Sequence, residues 1–164
     1  YAVKMLESGE DPLYIIRRVI RFSSEDVGMA DPNALIVSIA AKEAISHLGM
    51  PEANLSIVQA VAYNALAPKS NALYAAYNSA KKDVENYPDL SIPLNIRNAP
   101  TNLMKEIGYG EGYQYAHDYP EGITAMKCLP DELSGRKYYN PKEIGFEKKL
   151  KSIIEKIESI RNRK

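Results

Sequence analysis

The chain has no tryptophan, two phenylalanines, one cysteine (Cys128) and two histidines, His47 and His117. A lone cysteine excludes an internal disulfide and fits a reducing compartment. The lack of C-x-x-C and H-x-x-x-H spacing argues against a structural zinc site. No apolar run reaches the roughly 18 residues that a membrane-spanning helix needs, and no signal-peptide or lipidation pattern is present. Neither sign of charge is in excess, with 21 Lys and Arg against 21 Asp and Glu. Binding to duplex DNA is driven by neutralising phosphates, so this balance argues against an autonomous DNA-binding module and leaves room for a local patch. A G-x-x-x-x-G-K-[ST] phosphate loop is missing too. Lys69-Ser70 supplies the last pair, but Ala67-Pro68 precede it where glycine is needed, and proline has no N–H to offer a phosphate. An apolar strand ending in Asp-Glu, of the kind that holds Mg²⁺, is absent as well.

What the 164 residues do contain is an ordinary globular mixture, 45 % hydrophobic and 26 % charged, read as one domain over 1–164. Asp11-Pro12 and Asp31-Pro32 each pair a capping carboxylate with a proline suited to the first helical turn. The spacing of Leu13, Ile16, Val19 and Ile20 predicts an amphipathic helix. A largely buried helix is predicted over Asn33–Leu48, closed by Gly49. Another begins at Pro51, with Leu55, Val58, Ala62 and Leu66 on one face, and stops before Pro68. Ser70 caps a fourth, running to about Tyr87. Beyond it, Thr101 caps a short helix over Asn102–Ile107. Gly108, Gly110 and Gly112 with Pro120 then exclude a helix and predict an ordered aromatic loop. Tyrosine, 12 residues in all, concentrates in this half. Leu129–Asn140 admits a small hairpin. Phe146, Leu150, Ile153, Ile154, Ile157 and Ile160 form the stripe of a terminal helix of about five turns. The fold class is all-α: a compact helical array of about six to seven helices, a long ordered Tyr/Gly/Pro-rich loop region and a C-terminal amphipathic helix.

Several long strings occur in order. They are S-E-D-V-G-M-A-D-P at Ser24–Pro32, A-P-K-S-N within Ala65–Asn71 and R-N-A-P-T-N-L-M-K-E-I-G-Y-G at Arg97–Gly110, then Y-A-H-D-Y-P at Tyr115–Pro120 and L-P-D-E-L-S-G-R-K-Y-Y at Leu129–Tyr139. Together they resemble the C-terminal region of the RarA/MgsA family. These are AAA+ ATPases related to clamp loaders, with the Werner-helicase-interacting ATPase as human relative. The resemblance runs from Tyr1 to Phe146, and the last 18 or so residues carry no family wording. It implies that the ATPase core, with its ATP and Mg, lies upstream of Tyr1. The chain itself would then hold no cofactor, metal or catalytic residue and would not hydrolyse ATP. It further implies an oligomerisation (collar) domain that assembles the parent into a homotetramer. The parent would meet DNA and replication proteins at replication forks in a bacterial-type cytosol, nucleoid-associated, with no membrane partner.

Assembly demands apolar surface left over once the monomer core has closed. Candidates are the Ala-rich face of Ala34–Ala44, the Ala60–Ala76 corner with Tyr63, Tyr74 and Tyr77, and the terminal stripe with Ile153 and Ile157. Arg17, Arg18 and Arg21 share one side of a helix. They are candidates for contact with DNA or with the ATPase core, unless they pair with carboxylates such as Glu25 and Asp26. Lys69, Arg97 and Lys105, at Pro-defined corners, either belong to the same contact surface or satisfy helix ends. The alternative function is a single-stranded or fork DNA-binding module, with the arginine helix meeting phosphates and the tyrosine loop stacking on bases. Glu111, Asp118 and Glu121, interleaved in that loop, weigh against it. His117 beside Asp118 has no matching nucleophile and reads as a loop residue bonded to backbone.

Overall fold

The structure, a computed structural model, describes residues 1–163. Its elements are α1 (Ala2–Glu7), α2 (Pro12–Phe22), α3 (Asn33–Leu48), α4 (Asn54–Leu66), α5 (Ala72–Asn86), α6 (Asn102–Glu106) and α7 (Glu147–Arg161), joined by loops and short 3₁₀ turns. The chain is all-α, with no strand among the described residues. The hairpin expected over Leu129–Asn140 is therefore corrected to irregular chain around a 3₁₀ turn at Asp131–Leu133. Two-residue alternation is too short there, and Pro130 and Gly135 interrupt any ladder.

Local chemistry explains most helix ends. The Asp11 carboxylate accepts from the Leu13 N–H at 2.9 Å, and Asp31 accepts from the Asn33 N–H at 3.1 Å. Ser70 Oγ accepts from the Ala72 N–H at 3.2 Å, and Thr101 Oγ1 from the Met104 N–H at 3.3 Å. Each satisfies one of the donors that a helix start leaves open. Pro51 lies in the turn before α4, three residues upstream of the observed start. The terminal helix has 15 residues, about four turns rather than five.

Contacts divide the chain into two compact units. One comprises Tyr1–Asn78 and Tyr139–Lys151; the other comprises Ser79–Tyr138 and the residues from Ser152 onward. In the first, Ile15 and Ile16 of α2 pack with Ala41 and Ile45 of α3 and with Ala53, Ile57 and Ala60 at α4. Burying an isoleucine completely stabilises by about 1.5–3 kcal/mol, and Ile16 and Ile57 are both fully buried. A second cluster joins Val27, Ala34 and Ala67, flanked by Phe22 and Tyr63. Between α2 and α3 the helix widens into a π-turn at Ser23–Val27. The π-turn and the corner after it are held from outside: Ser70 N–H donates to Asp26 O at 2.8 Å and Phe146 N–H to Ala30 O at 2.7 Å. Gly145 passes so close that a Cβ there would collide with the Ala30 carbonyl oxygen.

The second unit is held by bonds between its loops and from α7 to a loop. Gly110 N–H donates to Leu94 O at 2.8 Å, Asn95 Nδ2 to Lys127 O at 2.9 Å and Arg161 Nη2 to Met126 O at 3.0 Å. Asp83 is its buried carboxylate, receiving Arg136 Nη2 at 3.1 Å and the Tyr138 hydroxyl at 3.0 Å. Burial, then Asp83, raises the Tyr138 phenol above its ordinary pKa.

Candidate functional site

Polar side chains sit inside the first unit, each with partners. Ser23 Oγ lies 2.8 Å from Ser38 Oγ and 2.9 Å from Asn64 Oδ1, and Asn64 Nδ2 donates to Ser38 Oγ at 2.9 Å. This triad ties the π-turn, α3 and α4 together, and a satisfied buried network of this kind fixes one register of the three. Glu147, fully buried at the start of α7, accepts the Tyr139 hydroxyl at 2.8 Å and the Lys142 N–H at 2.9 Å. Burial first, then Glu147, pushes the Tyr139 phenol well above the ordinary tyrosine range. Lys69 Nζ donates to the carbonyl of Asn64 at 2.8 Å and to that of Ala67, closing the C-terminus of α4, where a cation meets the negative end of the helix. The Lys69-Ser70 pair is thus engaged at two helix ends.

The exterior of this unit carries large apolar side chains. α3 buries Ala34, Ser38, Ala41 and Ile45 on one side, yet Leu35, Ile36 and Ile39 on the other are exposed. The expectation of a largely buried helix is corrected here: both sides are apolar and one is open. α4 repeats the pattern. Ile57, Ala60 and Asn64 face inward, while Leu55 and Leu66 are 79 % and 87 % exposed. Leu55 and Leu66 lie eleven positions apart, three helical turns, and so share one outward stripe. Tyr74 and Tyr77 of α5 are exposed as well. Tyr63 has a structural task, its half-buried hydroxyl donating to Asp31 Oδ2 at 2.8 Å, and that bond raises its pKa first, ahead of burial. In the second unit, Ile153 is exposed and Ile157 half-buried.

The basic candidates separate into different environments. Arg21 Nε is 2.7 Å from Glu25 Oε2, both of them exposed. This hydrogen bond and charge raise the guanidinium pKa further. Arg17 lies over the Tyr14 ring at 5.9 Å. Arg18 lines an open groove of about 300 Å³ with Val19, Phe22, Val61, Asn64 and Ala65. Neither forms an ion pair among the described residues. In the second unit, Arg97 Nε donates to Ile92 O at 2.6 Å and its guanidinium lies 5.1 Å from the centre of the Tyr109 ring, so it braces that loop. Lys105 is exposed in the last turn of α6. His117 packs its ring 5.0 Å from that of Tyr115, in place of the expected bond to backbone.

The second unit also carries a cavity of about 440 Å³ lined by Lys127, Arg136, Lys137 and Arg161 together with Glu158. None of the four cations was singled out in the sequence, because they come from separate segments with no common motif. The buried triad did leave a signal: Ser38 and Asn64 occupy core spacing in otherwise apolar helices. Glu147 left none. No group of three or more His, Cys, Asp or Glu is placed to hold a metal ion among the described residues. Nor is any of their helices long and apolar enough to cross a membrane.

Comparison with known proteins places this architecture. The family model described as "MgsA AAA+ ATPase C terminal" matches residues 1–158. Replication-associated recombination protein A of Coxiella burnetii is 48 % identical over 153 residues, covering 93 % of this chain and 35 % of that protein. Its counterpart in Escherichia coli K12 is 45 % identical over 148 residues, 90 % of this chain and 33 % of that protein. ATPase WRNIP1 of Dictyostelium discoideum is 40 % identical over 143 residues, 87 % of this chain and 16 % of that protein. The chain spans about a third of the length of the bacterial relatives. With the family model matching nearly its whole length, the chain belongs to the MgsA family of AAA+ ATPases, as their C-terminal region.

Proposed function

We propose that this chain is the assembly module of its AAA+ ATPase, joining copies of the parent into a homotetramer. The observation that supports this most is the outward apolar face of α3 and α4. Ile36, Leu55 and Leu66 are 64 %, 79 % and 87 % exposed on helices whose opposite sides already fill the core. Apolar surface of this kind on a water-facing helix is what subunit interfaces cover. Closed symmetry repeats the same patch on every copy. Tyr74 and Tyr77 extend the apolar surface on α5.

In this reading nucleotide chemistry belongs to the ATPase core, with ATP and Mg held there, and this chain hydrolyses nothing. The parent then works on DNA at replication forks, with replication proteins, in a bacterial-type cytosol. Printed names of relatives that refer to replication-associated recombination support that setting.

Light scattering after size-exclusion chromatography tests it. A mass near four times 18.3 kDa is expected, falling to that of one chain in Ile36→Glu and Leu66→Glu without loss of helicity. A strict monomer at high concentration defeats self-assembly by this chain.

A further inference from the structure

Of the seven helices described, α4 alone carries no charged residue. Its core-facing residues are Ile57, Ala60 and Asn64. Leu55, Val58, Ala62 and Leu66 follow one another at intervals of three and four, and so form one stripe on another side. Leu55, Ala62 and Leu66 are exposed and Val58 is half-buried. Toward α2 the stripe runs on into the groove lined by Val61 and Ala65 with Val19 and Phe22. A surface helix ordinarily keeps charged residues toward water. With none, α4 presents a side built to be covered.

The layout of the stripe identifies what covers it. Leu55 and Leu66 stand equally far from the midpoint of Ala60 and Val61, and so do Glu52 and Lys69, three residues beyond each leucine. Both charged residues are exposed, and Lys69 is held at its end of α4 by the Asn64 carbonyl. Laid antiparallel across a twofold axis at that midpoint, two copies of α4 set Leu55 of each against Leu66 of the other. Val58 and the small Ala62 lie between, where the backbones pass closely. Each Glu52 then faces a Lys69, and each helix dipole runs against its neighbour. A parallel pairing sets Glu52 on Glu52 and Lys69 on Lys69. A twofold contact joins a surface to its own copy, so a charge-free centre flanked by opposite charges is complementary to itself.

We infer that α4 docks on α4 of a second copy of this chain, antiparallel about a twofold axis near residues 60 and 61. The pairing rests on the assembly proposed above and adds its direction and register.

Disulfide trapping tests it in a Cys128→Ser chain, which removes the one native thiol. Leu55→Cys with Leu66→Cys on the same chain is expected to give covalent dimers on mild oxidation, and either change alone is expected to give none. Within one chain the two thiols are kept apart by about 17 Å of helix, too far for a disulfide. Zero-length coupling of carboxylates to amines in the unmutated chain is expected to join Glu52 to Lys69, a link that the length of α4, about 20 Å, denies to a single chain. Ala62→Phe is expected to keep its helicity and to raise the dissociation constant about tenfold.

Light scattering on the unmutated chain separates the two claims. A strict monomer removes the assembly and this pairing with it. In an assembled chain, single-cysteine variants that each couple to themselves overturn the pairing alone, as does a double variant that stays assembled without coupling. So does an Ala62→Phe chain that associates as tightly as the parent. Should the cysteine variants fall apart, absence of the Glu52–Lys69 link in the unmutated assembly overturns it.

Discussion

Twelve hydrophobic residues are buried in the first unit, whereas the one buried residue among those described in the second is the carboxylate of Asp83. The first unit is organised around apolar surface removed from water, with the Ser23–Ser38–Asn64 triad setting register. The second is organised around charge and backbone bonds, with its tyrosines half-covered or exposed. Apolar packing resists salt and pH. A fold held by polar ties is sensitive to both, and it opens locally at lower cost. One chain therefore combines a unit built on apolar packing with one built on polar ties.

The sharpest way to break this contrast is to hollow the first unit. Ile57→Ala is expected to lose about 2–5 kcal/mol in a denaturant titration, and a loss under about 1 kcal/mol would mean the α2–α3–α4 core is loosely packed. Next comes Gly145→Ala. It places a Cβ against the Ala30 carbonyl at a positive φ of 52°, with an expected cost of about 1–3 kcal/mol. Asp83→Ala removes the polar centre of the second unit and is expected to cost about 1–3 kcal/mol. Hydrogen exchange should show the acceleration confined to residues 79–138; equal acceleration in the core of the first unit would show that the two open as one.

A smaller effect concerns alkaline pH. Tyr63, Tyr138 and Tyr139 have phenol pKa values raised in the folded chain. A raised pKa favours the protonated, neutral form, so the stability they contribute is fully present below the unfolded value of about 10 and is lost as pH rises above it. Stability should show no decline from these groups between about pH 7 and 9, then fall beyond about 10. Ultraviolet titration should find these three ionising above the ordinary tyrosine value of about 10. Tyr139→Phe should flatten the fall in the first unit and Tyr138→Phe in the second. Smallest of all is Glu25→Gln, which breaks the exposed pair with Arg21; no measurable change in the melting temperature is expected.

How much of this was legible in the sequence divides along the same line. The Asp11, Asp31, Ser70 and Thr101 caps and the bounds of α3 were readable because a cap and its N–H lie two or three residues apart. The family strings pointed to the parent ATPase, and the matching family model agrees. The open face of α3 was not readable, since a helix apolar all round looks the same whether covered or bare. Asp83 with Arg136, and Glu147 with Tyr139, were hidden for another reason: no local pattern says which charged residue will be enclosed. The basic cavity depends on loop paths that composition does not encode. The division into two units was equally silent, because two of its three boundaries fall inside α5 and α7.

The bond from Phe146 to the Ala30 carbonyl has a consequence for how the protein is made. A ribosome adding roughly 5–20 residues per second delivers Phe146 about 6–23 s after Ala30. Throughout that interval the corner after the π-turn lacks its last strap, and Glu147 has not yet arrived to meet Tyr139. A nascent chain stalled before this point would expose an unfinished first unit to proteases, even though α1 to α4 had long since left the tunnel. Completion of the first unit is thus timed by synthesis of the Phe146–Glu147 segment, and a chain cut before that segment would lack parts of a unit whose other residues begin at Tyr1.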